Sequence, residues 1–409
     1  MKFDCRSGAG FAFIFVLLIA IRSFAQDFRS VHDGIEHVRV EHRIGVDPVI
    51  INLLRLDPEK VRLDVHHALD KAIGLETTSS IAKRMGAVAA INGGFFRLDR
   101  SEFAGDAAGV LMIDGVLVSE SINYRAGVVI RNGKRYSSVF FNHINAYADL
   151  QIGGPGNLRS LTLSGINRER KKTDAVLYTP FFGESTRTEN AGTEISLSRC
   201  KTGKIIGSFR ETVCRRAERV KNPGNTNIPL DGYVVSIGPE FLYPDPVLRS
   251  MIDRIREPRD KNVKFRIRHP ILLDGGQFTV DKTIDITNGL PLLIRNGKID
   301  ITWEREKASK DLVEVRHPRT AMARLQDGKL LMITVDGRQP GISAGMTLLE
   351  LAEYLLSLGA TNAINLDGGG STTMFLNGKV VNQPSDKGGE RKVGDAIIVT
   401  LRTKRGKNR

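Results

Sequence analysis

The sequence predicts an α+β fold in which mixed, strand-rich sheets carry a few packed helices within a single domain. Runs typical of strands far outnumber helical runs, and the alternation of strand and helix that marks a parallel sheet is weak. No clean boundary divides residues 30–403, and a chain of 409 residues can bury a sizeable core. Hydrophobic residues make up 41% and charged residues 26%, as in a globular protein.

Strand and turn signals place the first elements along the chain. Strands are predicted at 38–40, 49–54 and 61–65, followed by a short helix at 78–85 and a strand that ends at Asn92. Four dipeptides typical of tight turns predict β-hairpins: Asp114-Gly115, Asn132-Gly133, Asn296-Gly297 and Asn377-Gly378.

The second half of the chain contains the clearest helix. It is predicted from Thr347 to Leu358, because Thr347 and Glu350 form a capping box, leucines recur at helical spacing and Gly359 ends the run. A shorter helix is predicted near 246–256. The surrounding region, 160–270, could elaborate the scaffold or shape access to a site.

The N-terminus has the pattern of a signal peptide. Lys2 and Arg6 precede an apolar run from Phe11 to Ile21, and cleavage is expected after Ala25. The alternative is an uncleaved membrane anchor, although the run is short for a span. The mature chain is expected in the periplasm or outside the cell, with no stable membrane span after cleavage.

The charge of the chain favours anionic partners. The net charge is +14, and removing residues 1–25 takes away three basic residues and one acidic residue, which leaves +12. Nucleic acid is an unlikely class of partner, because the chain has no compact aromatic and basic motif of a known reader. Residues 404–409 read as a solvated basic tail.

Cysteine usage agrees with export. Cys5 lies in the signal peptide, which leaves Cys200 and Cys214 as an even pair. The turn at Thr202-Gly203-Lys204 would bring their strands together, so a disulfide is predicted. Two buried thiols are the alternative, and two cysteines without a nearby histidine are too few ligands for a metal.

Two glycine turns at strand ends are the main candidates for a functional site. The longer one, AINLDGGGSTTMF at 363–375, follows a strand with Asp367, three glycines and several hydroxyls, and AAINGGFF at 89–96 echoes it. Consecutive glycines bury little surface but let a ligand approach the backbone closely. A phosphate loop of nucleotide-binding proteins is excluded, since no lysine follows the last glycine.

Three further polar groups follow strands: HPRTAMA at 317–323, VDGR at 335–338 and NQPSD at 382–386. Each alone is more typical of a turn or a surface cation than of a site. Asp-Gly is a common turn. A lone arginine after a proline is more often solvated than bound to a ligand. The order of the motifs therefore has to carry the functional argument.

The order of these motifs resembles the phosphodiester glycosidase family. NGGFF, HPRTA, VDGR, SAGMTL, LDGGGSTT and NQPSD occur in the family's sequence order, and the resemblance covers roughly residues 40–400. The family includes the mannose 6-phosphate uncovering enzyme and many bacterial envelope proteins associated with exopolysaccharide. The absence of an N-x-Ser/Thr sequon favours an exported bacterial member.

The resemblance implies a hydrolase that cleaves a sugar-1-phosphodiester at the anomeric carbon, as part of carbohydrate metabolism. The residue chemistry fits this reaction: Asp367 is the first candidate for the carboxylate that acts at the anomeric carbon or on water, and Asp336 is the second, as its partner or a sugar ligand. Arg319 is the first candidate for a phosphate clamp, with Arg338 in reserve. The implied substrate-binding residues are Asn92, Gly93, Gly94, His317, Thr320, Arg338, Gly368, Gly369, Gly370, Ser371 and Thr372. No cofactor is expected, and a divalent cation at Asp336 or Asp367 is left open.

Two alternatives remain open at this stage. One is a non-catalytic envelope protein that binds anionic polysaccharide through the same pocket and its positive surface. The other is a phosphodiesterase that cuts the P–O bond rather than the C–O bond. The sugar, the acceptor group and the oligomeric state do not follow from the sequence.

Overall fold

A computed structural model describes residues 27–154, 156–206, 209–255, 264–274 and 276–402 of the protein. The predicted signal peptide (1–25) and basic tail (404–409) lie outside the described residues. Strands dominate and helices are few, so the predicted strand-rich α+β class is confirmed. None of the helices in these ranges has both the length and the apolar character that a membrane span requires.

The strands follow one another with few helical interruptions. In chain order they are β1 Arg29–His32, β2 Ile35–Ile44, β3 Asp47–Leu56, β4 Val61–His67, β5 Glu76–Thr77, β6 Ala89–Asn92, β7 Leu111–Ile113, β8 Val116–Ser119, β9 Ala126–Asn132, β10 Ser137–Ala146, β11 Asp149–Gly153, β12 Arg159–Thr162, β13 Gly165–Ile166, β14 Ala175–Tyr178, β15 Thr193–Ile206, β16 Phe209–Arg219, β17 Tyr233–Ile237, β18 Lys264–Leu273, β19 Gly276–Gln277, β20 Ile284–Asn288, β21 Leu292–Arg295, β22 Lys298–Ile299, β23 Arg319–Leu325, β24 Leu330–Val335, β25 Ala360–Asn365, β26 Met374–Leu376, β27 Lys379–Val380, β28 Lys392–Val393 and β29 Asp395–Leu401.

The α-helices are short and lie between these strands: α1 Thr78–Arg84, α2 Pro246–Asp253, α3 Lys310–Glu314 and α4 Leu348–Ser357. Two 3₁₀ turns cover Ala68–Asp70 and Gly369–Ser371. The predicted helices at 78–85, 246–256 and 347–358 are all present. The five-residue α3 was not predicted, because it is too short to show a helical period.

Three large sheets form the body of the protein. An eight-stranded sheet has the order β1-β2-β3-β24-β23-β25-β21-β22, and a five-stranded sheet has the order β27-β26-β6-β29-β4. A 14-stranded sheet follows the path β13-β14-β17-β15-β16-β18-β10-β9-β20-β7-β8, with β11, β12 and β19 joined beside it. The four predicted hairpin turns each connect neighbouring antiparallel strands.

The apolar sequence of β3 reflects burial on both faces of the eight-stranded sheet. Leu54 and Leu56 face a core shared with the five-stranded sheet, whereas Ile51 and Leu53 face the core beneath α4. A strand covered on both sides loses the alternation of polar and apolar residues. The eight-stranded sheet is therefore a central layer, with helix α4 on one face and a second sheet on the other.

The start of α4 is fixed by the predicted capping box. Thr347 Oγ1 accepts the backbone N–H of Glu350 at 3.1 Å, and the Glu350 carboxylate accepts the N–H of Thr347 at 2.9 Å. Glu350 also accepts hydrogen bonds from Arg316, whose Nη2 lies 2.6 Å from its carboxylate oxygen. The cap thereby holds the segment that leads into the His317-Pro318-Arg319 motif.

The Thr347→Ala variant is expected to lower the free energy of unfolding by about 1 kcal/mol, because it removes the acceptor for an N-terminal helical N–H. Urea unfolding followed by circular dichroism measures this loss. The matched variant Thr347→Ser keeps the oxygen and should retain most of the stability. Equal losses in the two variants would show that the methyl packing of Thr347, and not its cap, matters.

Candidate active site

Three of the predicted motifs meet where three neighbouring strands of the eight-stranded sheet begin or end. Strand β23 runs antiparallel to both neighbours, with Arg319 opposite Val335 on β24 and Ala321 opposite Asn365 on β25. The start of β23 therefore lies beside the ends of β24 and β25. This register brings the HPR, VDGR and LDGGG segments together although up to 50 residues separate them along the chain.

A cleft of about 430 Å³ opens at these strand ends. Its lining combines three arginines, one histidine and two aspartates with the glycine turn and two apolar side chains. The lining residues are Phe95, Ser309, Asp311, Leu312, His317, Arg319, Arg338, Asp367, Gly368, Gly369 and Arg391. Six of the residues predicted for the site thus lie on one cavity wall: His317, Arg319, Arg338, Asp367, Gly368 and Gly369.

Asp367 is the central carboxylate of the cleft. Its backbone N–H donates to the Gly93 carbonyl at 3.2 Å, and its own carbonyl accepts from Asn92 Nδ2 at 2.7 Å. Burial raises the pKa of Asp367 to about 6, and the nearby Asp395 carboxylate acts in the same direction. The Ser371 hydroxyl and the charge of Arg391 oppose this rise. A carboxyl with this pKa is poised to exchange a proton near neutral pH.

Arg319 is almost completely buried, with 1% of its surface exposed. Nε donates to the Met346 carbonyl at 2.7 Å and Nη2 to the Val315 carbonyl at 2.8 Å. Among the described residues no carboxylate lies within ion-pair distance of this guanidinium. Burial, together with the charge of Arg338, lowers the pKa of Arg319 to about 10. The group is therefore still a cation at neutral pH, held rigidly at the wall of the cleft.

His317 links two further charged residues of the lining. Its Nδ1 lies 3.2 Å from Arg338 Nη2, and its Nε2 lies 3.3 Å from the Asp311 carboxylate on α3. Arg338 has a left-handed backbone with φ +58° and projects from the turn that follows β24. The imidazole thus orients the exposed Arg338 side chain beside the buried Arg319.

The third arginine, Arg391, forms a two-pronged ion pair with Asp386, with distances of 2.8 and 3.0 Å. Gly370 packs against this pair. A Cβ added at Gly370 would lie 2.1 Å from Asp386 Oδ1 and 2.2 Å from Arg391 Nη2. A side chain at the third glycine of the turn would therefore displace the ends of both side chains of this ion pair. Gly370 does not line the cleft.

Asn92 and Thr320 were predicted to bind substrate, but in the structure their side chains hydrogen-bond to each other and to the protein behind the glycine turn. Asn92 is fully buried, and its Oδ1 accepts the Thr320 hydroxyl at 2.8 Å and the Thr373 N–H at 3.1 Å. Its Nδ2 is taken by the carbonyl of Asp367. With both ends of the amide occupied, Asn92 positions the glycine turn from behind.

Gly93 and Gly94 are likewise occupied by the protein itself. The N–H of Gly94 donates to Asp395 Oδ1 at 2.8 Å, and the N–H of Gly93 donates to the Asp395 carbonyl at 3.0 Å. A Cβ on Gly93 would lie 2.8 Å from the Asp395 carboxylate. These two glycines make room for a buried aspartate and do not offer amides to a ligand.

Asp336, predicted as a second catalytic carboxylate, lies outside the cleft lining. It is 3% exposed, and its oxygens accept hydrogen bonds from Asn382 Nδ2 at 3.1 Å and from the Gln383 N–H at 3.1 and 3.2 Å. Burial raises the pKa of Asp336 to about 6. The structure thus assigns it to holding the loop that carries the NQPSD motif.

The predicted hydroxyl and amide ligands of the glycine turn are mostly turned inward. Ser371 and Thr372 are buried. The Ser371 hydroxyl lies beside the Asp367 carboxylate, whose pKa it lowers, and the Thr372 hydroxyl has no hydrogen-bond partner among the described residues. The N–H of Gly369 donates to the Pro318 carbonyl at 2.9 Å, which closes the turn onto the start of β23. Gly368 and Gly369 still line the cleft. A Cβ added at Gly368 would lie 2.7 Å from Pro318 O, which favours glycine at this position.

Several residues of the cleft and its support were not predicted from the sequence. Arg391 follows a glycine-rich loop without a motif of its own, and Asp311 and Leu312 lie on the short α3. Asp395 opens the last long strand and reads there as an ordinary strand residue. Phe95 was part of the quoted NGGFF string, and its place after the second glycine was the available signal.

Within the described ranges, no group of three or more His, Cys, Asp or Glu side chains is arranged to hold a metal ion. A divalent cation at Asp336 or Asp367 therefore stays a prediction.

Comparison with known proteins supports the resemblance drawn from the motifs. Residues 231–400 match the sequence model of the family described as phosphodiester glycosidase, and that resemblance is confirmed. The human N-acetylglucosamine-1-phosphodiester alpha-N-acetylglucosaminidase is 37% identical over 143 residues, which are 31% of this chain and 27% of that enzyme. The chain thus spans about a quarter of the length of the curated relatives that it matches first.

Two solved structures share the fold over most of the chain. A Burkholderia pseudomallei protein, whose name describes it as exported, has a TM-score of 0.69 at 23% identity and covers 86% of this chain and 74% of its own. A hypothetical protein from Synechocystis has a TM-score of 0.68 at 21% identity and covers 90% of this chain and 62% of its own. At these identities the likeness concerns the fold alone.

The Asp395→Asn variant is expected to lower the pKa of Asp367 from about 6, because it removes a neighbouring negative charge that disfavours ionisation. A carbon-detected NMR titration of the aspartate carboxyls measures the shift. Asp285→Asn serves as control, since it removes a buried carboxylate from a different cluster near Asp64 and Asp114. An unchanged Asp367 titration in Asp395→Asn would contradict the coupling.

Proposed function

Since residues 231–400 carry the phosphodiester glycosidase family's sequence pattern, we propose that this protein is an exported hydrolase that cleaves sugar-1-phosphodiesters. The substrate class is an N-acetylglucosamine-type phosphodiester or a phosphate-bearing envelope glycan. The disulfide between Cys200 and Cys214 supports the proposed export, because such bonds persist in oxidising compartments.

The observation that carries the proposal is a buried cation and a proton-exchanging carboxylate on the wall of one cleft. Arg319 lacks a carboxylate partner among the described residues, yet it stays charged and lines the cavity together with Arg338. Desolvated guanidinium groups of this kind bind phosphate oxygens in a planar, two-pronged geometry. Asp367 lies on the adjoining turn. A Cβ added at the next residue, Gly368, would lie 3.7 Å from Arg319 Cα.

This pairing suits cleavage of the bond between the anomeric carbon and the phosphate oxygen. In the proposed reaction, the C–O bond breaks and the phosphate monoester leaves with the bonding electrons, stabilised by Arg319 and Arg338. Water supplies the oxygen that becomes the sugar hydroxyl. The Asp367 carboxylate either accepts the proton of that water or attacks the carbon before water releases the sugar. Because phosphate is a good leaving anion, a strong general acid is not required.

The side chains around the two charges complete the proposed site. Phe95 and Leu312 supply apolar surface against which a sugar ring can pack. His317 sets the position of Arg338 through its Nδ1 contact. Asp336 and Asn92 act through other groups, the first on the 382–386 loop and the second on the backbone of Asp367.

The Asp367→Asn variant is expected to reduce the release of N-acetylglucosamine from a synthetic 1-phosphodiester by about 100- to 10,000-fold, because the amide can neither accept a proton nor attack carbon. Free sugar is measured by a coupled assay. Hydrolysis in water labelled with ¹⁸O should place the label on the sugar. Label on the phosphate would instead indicate P–O cleavage, and full activity in Asp367→Asn would remove Asp367 from the reaction.

The activity of the wild type should rise with pH as Asp367 loses its proton, with a midpoint near pH 6. The direction follows because only the carboxylate form can act as base or nucleophile. The measurement is kcat/KM between pH 4 and pH 8 in buffers of constant ionic strength. The Asp395→Asn variant should move the midpoint to lower pH. A midpoint that rises in this variant would contradict the assignment.

Replacing Arg319 by lysine is expected to lower kcat by about 100-fold, since the planar fork that would hold the departing phosphate is lost. Arg324→Lys on the same strand is the matched control, because its side chain is exposed on the surface. Urea unfolding of both variants checks stability, as Arg319 also donates to Met346 and Val315. Equal activities of the two variants would contradict a role for Arg319 at the phosphate.

A further inference from the structure

A cluster of exposed cations lies on the long hairpin of β15 and β16, far along the chain from the motifs of the cleft. Arg199 and Lys201 on β15 and Arg215 on β16 form what we term the hairpin cation cluster; all three are exposed. Within the described residues, none of the three forms an ion pair. Their neighbour Arg216, by contrast, pairs with Glu218 at 3.4 Å. The carboxylate of Asp231 accepts the backbone N–H of Arg199 at 3.2 Å and offsets part of this charge, so the three exposed cations leave the cluster with a net positive charge.

The register of the hairpin places these cations close together. Cys200 lies opposite Cys214, and Lys201 lies opposite Val213. Arg199 and Arg215 are the residues adjoining this cysteine pair, one on each strand, and Arg199 adopts a left-handed backbone with φ +52°. Like charges on neighbouring strands repel each other and destabilise the pairing. The disulfide between Cys200 and Cys214 joins the strands at this point.

The outer face of the sheet continues from the hairpin to β18 and β11. Val213 is opposite Arg266 on β18, and Arg266 is opposite Gln151 on β11. Arg266 alternates with the buried Phe265 and Ile267, so its side chain lies on the outer face of the sheet. Glu211 lies 3.6 Å from Arg266 and 3.2 Å from Arg268, and Asp149 on β11 is opposite Arg268, so acidic and basic side chains alternate on this part of the sheet.

We propose that this surface binds an anionic polysaccharide whose repeat carries a carboxylate or a phosphate group. Charge complementarity supports a polyanion, since three exposed cations that form no ion pair with described residues lie together on the hairpin. Ser160 on β12, opposite Gln151 in the same row, is exposed and adds a group that can hydrogen-bond to a sugar hydroxyl. The described residues of β11, β12, β15, β16 and β18 expose neither an aromatic ring for stacking a base nor a large apolar side chain for entering a membrane.

This surface shares no lining residue with the cleft and belongs to a different sheet. Most of it also lies before residue 231, where the match to the family begins. The inference concerns binding alone and does not depend on the proposed hydrolysis.

The test compares two charge-reversal triples of the full chain in affinity electrophoresis through gels containing alginate, a polyuronate. One triple is Arg199→Glu, Lys201→Glu and Arg215→Glu. The control triple is Lys134→Glu, Arg135→Glu and Arg324→Glu, which changes the net charge equally at exposed cations outside the cluster. The first triple should weaken binding by roughly tenfold or more, the control should bind like the wild type, and added salt should weaken all binding. Neutral dextran should retard none of them.

Equal losses in the two triples would overturn the proposal, since they would show an effect of net charge alone. Absence of alginate retardation of the wild type at low salt would also overturn it. So would binding to phosphatidylglycerol vesicles that needs the cluster while alginate binding does not. If the reversal triple misfolds, the neutral triple Arg199→Gln, Lys201→Gln and Arg215→Gln replaces it. Release of sugar from a small phosphodiester should be unchanged, which separates this result from the proposed hydrolysis.

Discussion

The site depends on one buried amide, that of Asn92, which joins three parts of the fold. Its two ends hydrogen-bond to Thr320 on the eight-stranded sheet, to the carbonyl of Asp367 and to the N–H of Thr373. Asn92 itself ends a strand of the five-stranded sheet. A buried amide left without partners costs free energy, so each of these groups restrains the others. The relative position of the two sheets and the glycine turn is thereby set by a single side chain.

Burial raises the pKa of three aspartates to similar values, although the groups around each aspartate differ. The pKa values of Asp336, Asp367 and Asp395 are all raised to about 6 by desolvation. Asp336 and Asp395 are surrounded by protein donors, whereas Asp367 opens on the cleft beside arginines. Acid strength alone would not have separated a reacting carboxylate from two that hold loops and turns. The donors around each carboxylate make that distinction.

The parts of the fold that are fixed locally could be predicted from the sequence. The cap at Thr347, the stop at Gly359 and the Asp-Gly and Asn-Gly turns depend on neighbouring residues, and the structure contains them all. The cleft residues Arg319 and Asp367 were found because their motifs occur in the sequence order of the phosphodiester glycosidase family. Asn92 and Asp336 were given contact with substrate, because a sequence does not show whether a polar side chain faces a ligand or the protein. Arg391 and Asp395 became visible only through contacts between distant segments.

The ion pair behind Gly370 has a consequence for how this chain can change over time. Because Asp386 and Arg391 occupy the space where a Cβ at residue 370 would lie, the three positions constrain one another. A side chain at 370 would displace the ends of the Asp386 and Arg391 side chains, and so would move an arginine that lines the cleft. Substitutions at the third glycine of the LDGGG motif and in a loop some 15 residues later are therefore coupled, although only the glycine belongs to a recognisable motif.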